Sequence, residues 1–152
     1  KSRRRCGLPL RNPRKLARRF PALKWAGMLT DWDGPEAGER PTGYVAILGE
    51  AGTRAKLNAI DAGIVAQTIQ LAAYTRDLGC CIFLSFDPRK IREVLGIPEN
   101  LEPLLVLALG FQKEVRRVET VGADGSVKYW RDAQGVHHVP KRPLEDLLII
   151  KK

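Results

Sequence analysis

The chain has 152 residues, 44% apolar and 28% charged, a composition that suits one globular domain with a real core. No apolar run approaches the roughly 18 residues of a membrane span, and no signal-peptide pattern opens the chain, so no membrane partner is expected and the expected compartment is the cytoplasm. Three cysteines, with Cys80 and Cys81 adjacent, fit neither a disulfide framework nor a Cys/His zinc pattern and read as small buried hydrophobes.

The net charge of +9 is local: residues 1–24 hold ten Lys and Arg and no acid, which leaves the remainder near neutral. Such an arm can bind nucleic acid or an acidic partner. It lacks interleaved aromatics, and no helix-turn-helix, zinc-finger or RNA-platform pattern follows it. It reads as a solvated basic arm over residues 1–12, poorly ordered or crossing to a partner subunit, with a nucleic-acid-binding module as the alternative. One domain is expected over residues 13–152.

Residues 13–28 have helical spacing, with Leu16, Phe20 and Leu23 inward and Pro21 as a break. Turn signals at Asp33-Gly34-Pro35 and Glu39-Arg40-Pro41 predict irregular structure over residues 30–42. Residues 43–48 are a nearly continuous apolar run, expected of a strand covered on both faces. Asp61 is expected to cap a long helix that Gly79 stops after residue 78. Ile64, Val65, Ile69 and Leu71 make that helix apolar on more than one face, which calls for a central place or an interface.

A strand is predicted over residues 80–84, then Asp87-Pro88 as cap and first turn of a helix over 89–95, then a buried strand over 104–110. Residues 127–129 and 136–138, separated by the turn Asp132-Ala133-Gln134-Gly135, suggest a hairpin or ribbon. Pro143 opens a short helix to about residue 149, with acids in its first turn. Strands interleaved with helices, plus a polar hairpin, imply an α/β or α+β sandwich of three layers.

Candidate chemistry concentrates near the end of the chain. Lys141 and Arg142 stand between Pro140 and Pro143, and two fixed cations beside an amphipathic turn can clamp a phosphate dianion. His137 and His138 are adjacent, so on a strand they point to opposite faces, and no third ligand sits at useful spacing for a metal. No Gly-rich phosphate loop follows a strand, and no Ser/His/Asp arrangement can be built from two adjacent histidines. Trp25, Trp32 and Trp130 are expected to anchor core or loops.

In order along the chain stand Asp61-Ala62-Gly63-Ile64-Val65-Ala66-Gln67-Thr68-Ile69-Gln70-Leu71-Ala72-Ala73, Leu78-Gly79, Phe86-Asp87-Pro88-Arg89-Lys90-Ile91-Arg92-Glu93-Val94-Leu95-Gly96-Ile97-Pro98 and Ala108-Leu109-Gly110. Upstream are Phe20-Pro21-Ala22-Leu23-Lys24-Trp25-Ala26-Gly27, Trp32-Asp33-Gly34-Pro35 and Gly38-Glu39-Arg40-Pro41-Thr42. This succession, with the Lys141-Arg142 end, resembles the C-terminal two thirds of a nitroreductase-family flavoprotein over residues 13–150. The resemblance implies an α+β fold, a three-layer α/β/α sandwich with a central mixed sheet. It also implies FMN, with Phe83, Leu84 and Ser85 beside the ring, a main-chain N–H of Leu84 or Ser85 toward N5, and Lys141 and Arg142 on the phosphate.

By the same resemblance the protein is an FMN-dependent NAD(P)H oxidoreductase, a homodimer joined through the 61–78 helix with two flavins at the interface. NAD(P)H reduces the flavin and leaves, and a nitro-aromatic, quinone or similar acceptor follows in a ping-pong cycle. No catalytic side chain is implied, since the protein supplies position and electrostatics. The family's Arg-Arg-Ser-like opening has only an echo in Arg3-Arg4-Arg5-Cys6, and Leu8-Pro9-Leu10-Arg11 resembles the tail of its Asn-x-Gln-Pro stretch without the Asn and Gln. Arg11 is the one cofactor residue carried over from this region. The expectation is that the N-terminal third of the usual domain is missing, and the alternative is a non-catalytic protein of the same fold that has lost flavin.

Overall fold

A computed structural model describes residues 22–52 and 55–148. The basic arm, Arg11 among it, lies outside the described residues. The described residues form two compact units, one of Pro35–Gln112 with residues 22–25, the other of Ala26–Gly34 with residues 113–148.

The first unit contains a 3₁₀ turn at Ala37–Glu39, then β1 Gly43–Glu50, α1 Ala55–Tyr74, β2 Leu78–Phe83, α2 Pro88–Leu95 and β3 Leu101–Phe111. Its sheet has the order β1-β3-β2 and is antiparallel throughout. Side chains alternate across a strand, so register assigns faces. Tyr44 pairs with Ala108 and Phe83 with Val106 on one face, while Val45 and Ile82 flank Leu107 on the other. On the second face α1 lays Ala62 and Ala66 against Ile47, Leu105 and Leu107, with Val65 and Ile69 alongside. On the first face Ile91 of α2, Ile97, Ala22 and Leu23 cover Tyr44, Phe83, Val106 and Ala108. Both faces are covered, as the continuous apolar runs predict, and the result is the expected three-layer α/β/α arrangement of an α+β fold.

Four local expectations are corrected. The long helix starts six residues before Asp61, because residues 55–60 contain good helix formers, and Asp61 sits in its interior. It ends at Tyr74, where Thr75 Oγ1 and the Arg76 guanidinium each donate to the Ala72 carbonyl at 2.9 Å and Asp77 turns the chain at φ 55°. Gly79 therefore belongs to β2, where a Cβ would come within 3.3 Å of the Gly110 carbonyl oxygen. Residues 13–21 of the helix expected over 13–28 lie outside the described residues, and residues 23–28 are not helical: Leu23 bridges Phe86, and the Asp87 N–H donates to the Ala22 carbonyl at 2.8 Å. Cys81 is exposed rather than buried.

The helix α2 follows its sequence signals. Asp87 accepts from the amides of Arg89 and Lys90 at 3.0 and 3.2 Å, Pro88 occupies the first turn, and Gly96 closes the helix at φ 61°. The Arg92 guanidinium then donates to the carbonyls of Ile97, Pro98 and Leu101, which fixes the loop into β3.

In the second unit β4 is Arg116–Thr120, β5 Trp130–Arg131, β6 His137–Lys141 and α3 Leu144–Leu147. The sheet order is β4-β6-β5, and here β4 runs parallel to β6, so among the described residues parallel pairing is confined to this unit. The predicted turn is present: Asp132 Oδ1 accepts from Gln134 and Val136 at 3.0 and 2.8 Å, the side-chain mimicry of a backbone turn that Asp favours. The strand before it is displaced from residues 127–129 to Trp130–Arg131, and β4 was not expected at all. No helix among the described residues is long and apolar enough to cross a membrane.

Candidate functional site

The segment that leaves β2 sits at an edge between core and surface. Phe83 is 5% exposed and makes an edge-to-face contact with Trp25, ring centroids 4.6 Å apart. The next side chain, Leu84, is 78% exposed. Ser85 is exposed as well, and its carbonyl accepts from the Lys24 N–H at 2.9 Å. The burial of Phe83 and the bond at Ser85 hold the backbone of Leu84 from both sides, which is what a main-chain donor to a flat ligand requires. Phe83 itself offers backbone here, because its ring is spent in the core.

Lys141 ends β6, and its carbonyl accepts from the Val121 N–H at 3.0 Å. Pro140 is buried and Pro143 caps α3, so the two cations between them stand on a stiff stretch of chain. Both are exposed, and among the described residues neither pairs with a carboxylate. Two neighbouring cations without counter-ions repel each other, and an anion with two charges relieves both. This donor set fits a phosphate.

Two histidine networks escaped the sequence reading. His137 Nδ1 is 2.9 Å from Glu114 Oε2, and Glu114 Oε1 accepts from Arg131 Nε at 2.8 Å, while the Arg131 guanidinium lies 4.4 Å from the centre of the Trp32 ring. Burial works to raise Glu114, but its hydrogen bonds from His137 and Arg131 outweigh this and hold the carboxyl below its ordinary range. His138, on the other face, lies between Glu119 and Asp132 and stacks on Trp130. Adjacent histidines on a strand were expected to diverge, and they do. Their carboxylate partners are 6 to 23 positions away in sequence, so only the β4-β6-β5 pairing brings them in. Among the described residues no group of three or more His, Cys, Asp and Glu is placed to hold a metal.

Cys80 offers little chemistry. Burial raises Cys80, and the neighbouring Cys81 adds to this, so the thiol is kept from the reactive thiolate.

Comparison with known proteins places this architecture. Among solved structures, a nitroreductase family protein from Clostridium difficile 630 is 21% identical, with a TM-score of 0.52 over 72% of this chain and 60% of its own. A protein from Bacteroides thetaiotaomicron VPI-5482, named as an NADH dehydrogenase/NAD(P)H nitroreductase, is 24% identical, with a TM-score of 0.55 over 71% of this chain and 62% of its own. An FMN-dependent nitroreductase from Clostridium difficile R20291 is 20% identical, with a TM-score of 0.53 over 71% and 63%. At these identities the likeness is one of fold, and the chain spans about three fifths of the length of each. No curated protein matches the chain. The sequence profile of the nitroreductase family, however, matches residues 31–111, more than half of the chain and nearly all of the three-layer unit, and the chain belongs to that family.

Proposed function

We propose that the chain serves an FMN-dependent oxidoreductase of nitroreductase type, working in the cytoplasm. The observation that carries this reading is the uncompensated pair Lys141 and Arg142, held between two prolines in a chain of this family. These residues would hold the phosphate of FMN. The backbone of Leu84 or Ser85 would donate to the edge of the ring, with Phe83 anchoring that backbone from the core side. Arg11 would contribute from the arm. When bound, FMN supplies hydride chemistry between NAD(P)H and a nitro-aromatic, quinone or similar acceptor. Two of the structures that share the fold are named for such activities.

The test is direct. Purified protein, incubated with FMN and desalted, is expected to retain flavin absorbance and to oxidise NADH or NADPH when a quinone or nitro-aromatic acceptor is added. A colourless sample that takes up no FMN would leave the non-catalytic alternative standing.

The reading includes a homodimer. The outer side of α1 carries Leu57, Ile60, Ile64, Leu71 and Tyr74 at alternating spacings of three and four or their sum, the pattern of a helix seam, and all five are at least half exposed. Five such side chains in one stripe are a poor surface for water. Sedimentation is expected to give a dimer at micromolar concentration, and the pair Ile64→Glu and Leu71→Glu to give a monomer. A wild-type monomer at that concentration would remove the dimer from the proposal.

A further inference from the structure

His138 is engaged at both ring nitrogens by acids from two different elements. Nδ1 lies 2.7 Å from Oε1 of Glu119 on β4, and Nε2 lies 3.0 Å from Oδ2 of Asp132, in the turn between β5 and β6. A neutral imidazole has one N–H and one lone pair, so it can donate to only one of these carboxylates; an imidazolium donates to both. Neither acid is free to swing away at no cost. Asp132 is built into its turn through Oδ1, and Glu119 sits within the β4 ladder opposite Pro140.

The surroundings also favour a defined state of the ring. The His138 side chain is 12% exposed and stacks on Trp130 of β5, centroids 4.9 Å apart and planes 4° apart. Arg117, its register partner on β4, is an exposed cation on the same face. The other charged groups nearby, Glu114, Arg131 and His137, are bound to one another on the opposite face. The ring thus ties β4, the β5–β6 turn and its own strand β6 together.

We propose that protonation of His138 is a latch on the β4-β6-β5 sheet, closed while the ring is charged and released when the proton leaves for solvent as pH rises. On release one carboxylate faces a ring lone pair, and the strand that carries Lys141 loses its tie to either β4 or the turn. The inference does not depend on flavin.

The direction of the pH dependence follows from linkage. The hydrogen bond to Asp132, and then that to Glu119, raise His138 above its ordinary value. Stabilisation from the ring is therefore complete below the ordinary histidine pKa of about 6.5 and is lost as pH rises through the raised value. The bond from His138, and then that from the Val136 amide, lower Asp132, whose contribution is present above the ordinary aspartate range and is lost as pH falls through the lowered value. The latch is closed between these limits.

The full chain contains two histidines, so nuclear magnetic resonance can follow each ring, with His138→Gln identifying the signals. His138 is expected to titrate above the ordinary histidine value. Hydrogen exchange at the amides of Val121 and His137, corrected for intrinsic base catalysis, is expected to show opening that rises about tenfold per pH unit between the ordinary and the raised value and then levels off. In His138→Gln the corrected opening should be independent of pH over this range. Should that variant fail to fold, Glu119→Gln keeps the ring and replaces one carboxylate by a neutral amide, and is expected to lower the His138 midpoint and shorten the rise. A wild-type His138 that titrates at or below the ordinary value, or opening with the same pH dependence in wild type and variant, would overturn the latch.

Discussion

Leu107→Ala is expected to destabilise the protein by about 3–5 kcal/mol, the upper part of the range for a large-to-small change in a core that cannot close over the gap. Leu107 is 0% exposed and lies on the central strand, with Val45 and Ile82 beside it in register. The layer above it is supplied by Ala62 and Ala66 of α1. Alanines have no side chain that could turn into the void, so relaxation would need the whole helix to move toward the sheet, and that is resisted by the bond from Gln70 Nε2 to the Cys80 carbonyl at 3.2 Å. Urea unfolding at fixed protein concentration measures the effect. Leu57→Ala, on the exposed side of the same helix, is the control, made on the Ile64→Glu and Leu71→Glu background that is expected to be monomeric, where it should cost under about 1 kcal/mol. Against a total of about 5–15 kcal/mol for a domain, a Leu107 effect near that of Leu57 would mean that the face is not packed as described.

The same contrast explains what the sequence made legible. The strands β1 and β3 were visible because a strand covered on both faces reads as a continuous apolar run, and α2 because Asp87, Pro88 and Gly96 sit where cap chemistry needs them. The ends of α1 were misplaced for a related reason. Asp61 and Gly79 are residue types that cap and stop helices, but here one rides on a helix side and the other permits a close approach between strands. Strand β4 could not be seen, since Arg116-Arg117-Val118-Glu119-Thr120 is an exposed edge with no apolar alternation, and its partner β6 lies beyond an intervening turn and strand. The histidine networks depend on that pairing and were hidden with it. The position of Lys141 and Arg142 between two prolines was legible because it is a local feature of the chain, and the phosphate contact proposed for them rests on it.

The pair Lys141→Ala and Arg142→Ala is expected to weaken FMN binding by roughly 2–5 kcal/mol, because each charge-assisted contact to an anion is worth about 1.5–3 kcal/mol. The lower end applies if the phosphate stays largely in water, where exposed ion pairs are weak. Neither side chain packs in either core cluster, so the change should leave the unfolding midpoint nearly where it was. Riboflavin lacks the phosphate and should bind wild-type and double-variant protein with nearly equal affinity. That difference between the two flavins separates a phosphate clamp from general damage, which would lower both affinities together. It also separates the two cations from Arg11: a clamp that includes the arm would leave part of the FMN preference in the double variant, and Arg11→Ala on that background would remove it. Titration of each flavin into each protein, followed by quenching of flavin fluorescence, gives the affinities. Equal losses for FMN and riboflavin, or no loss of either, would assign Lys141 and Arg142 to the solvated surface and the cofactor phosphate to another part of the chain.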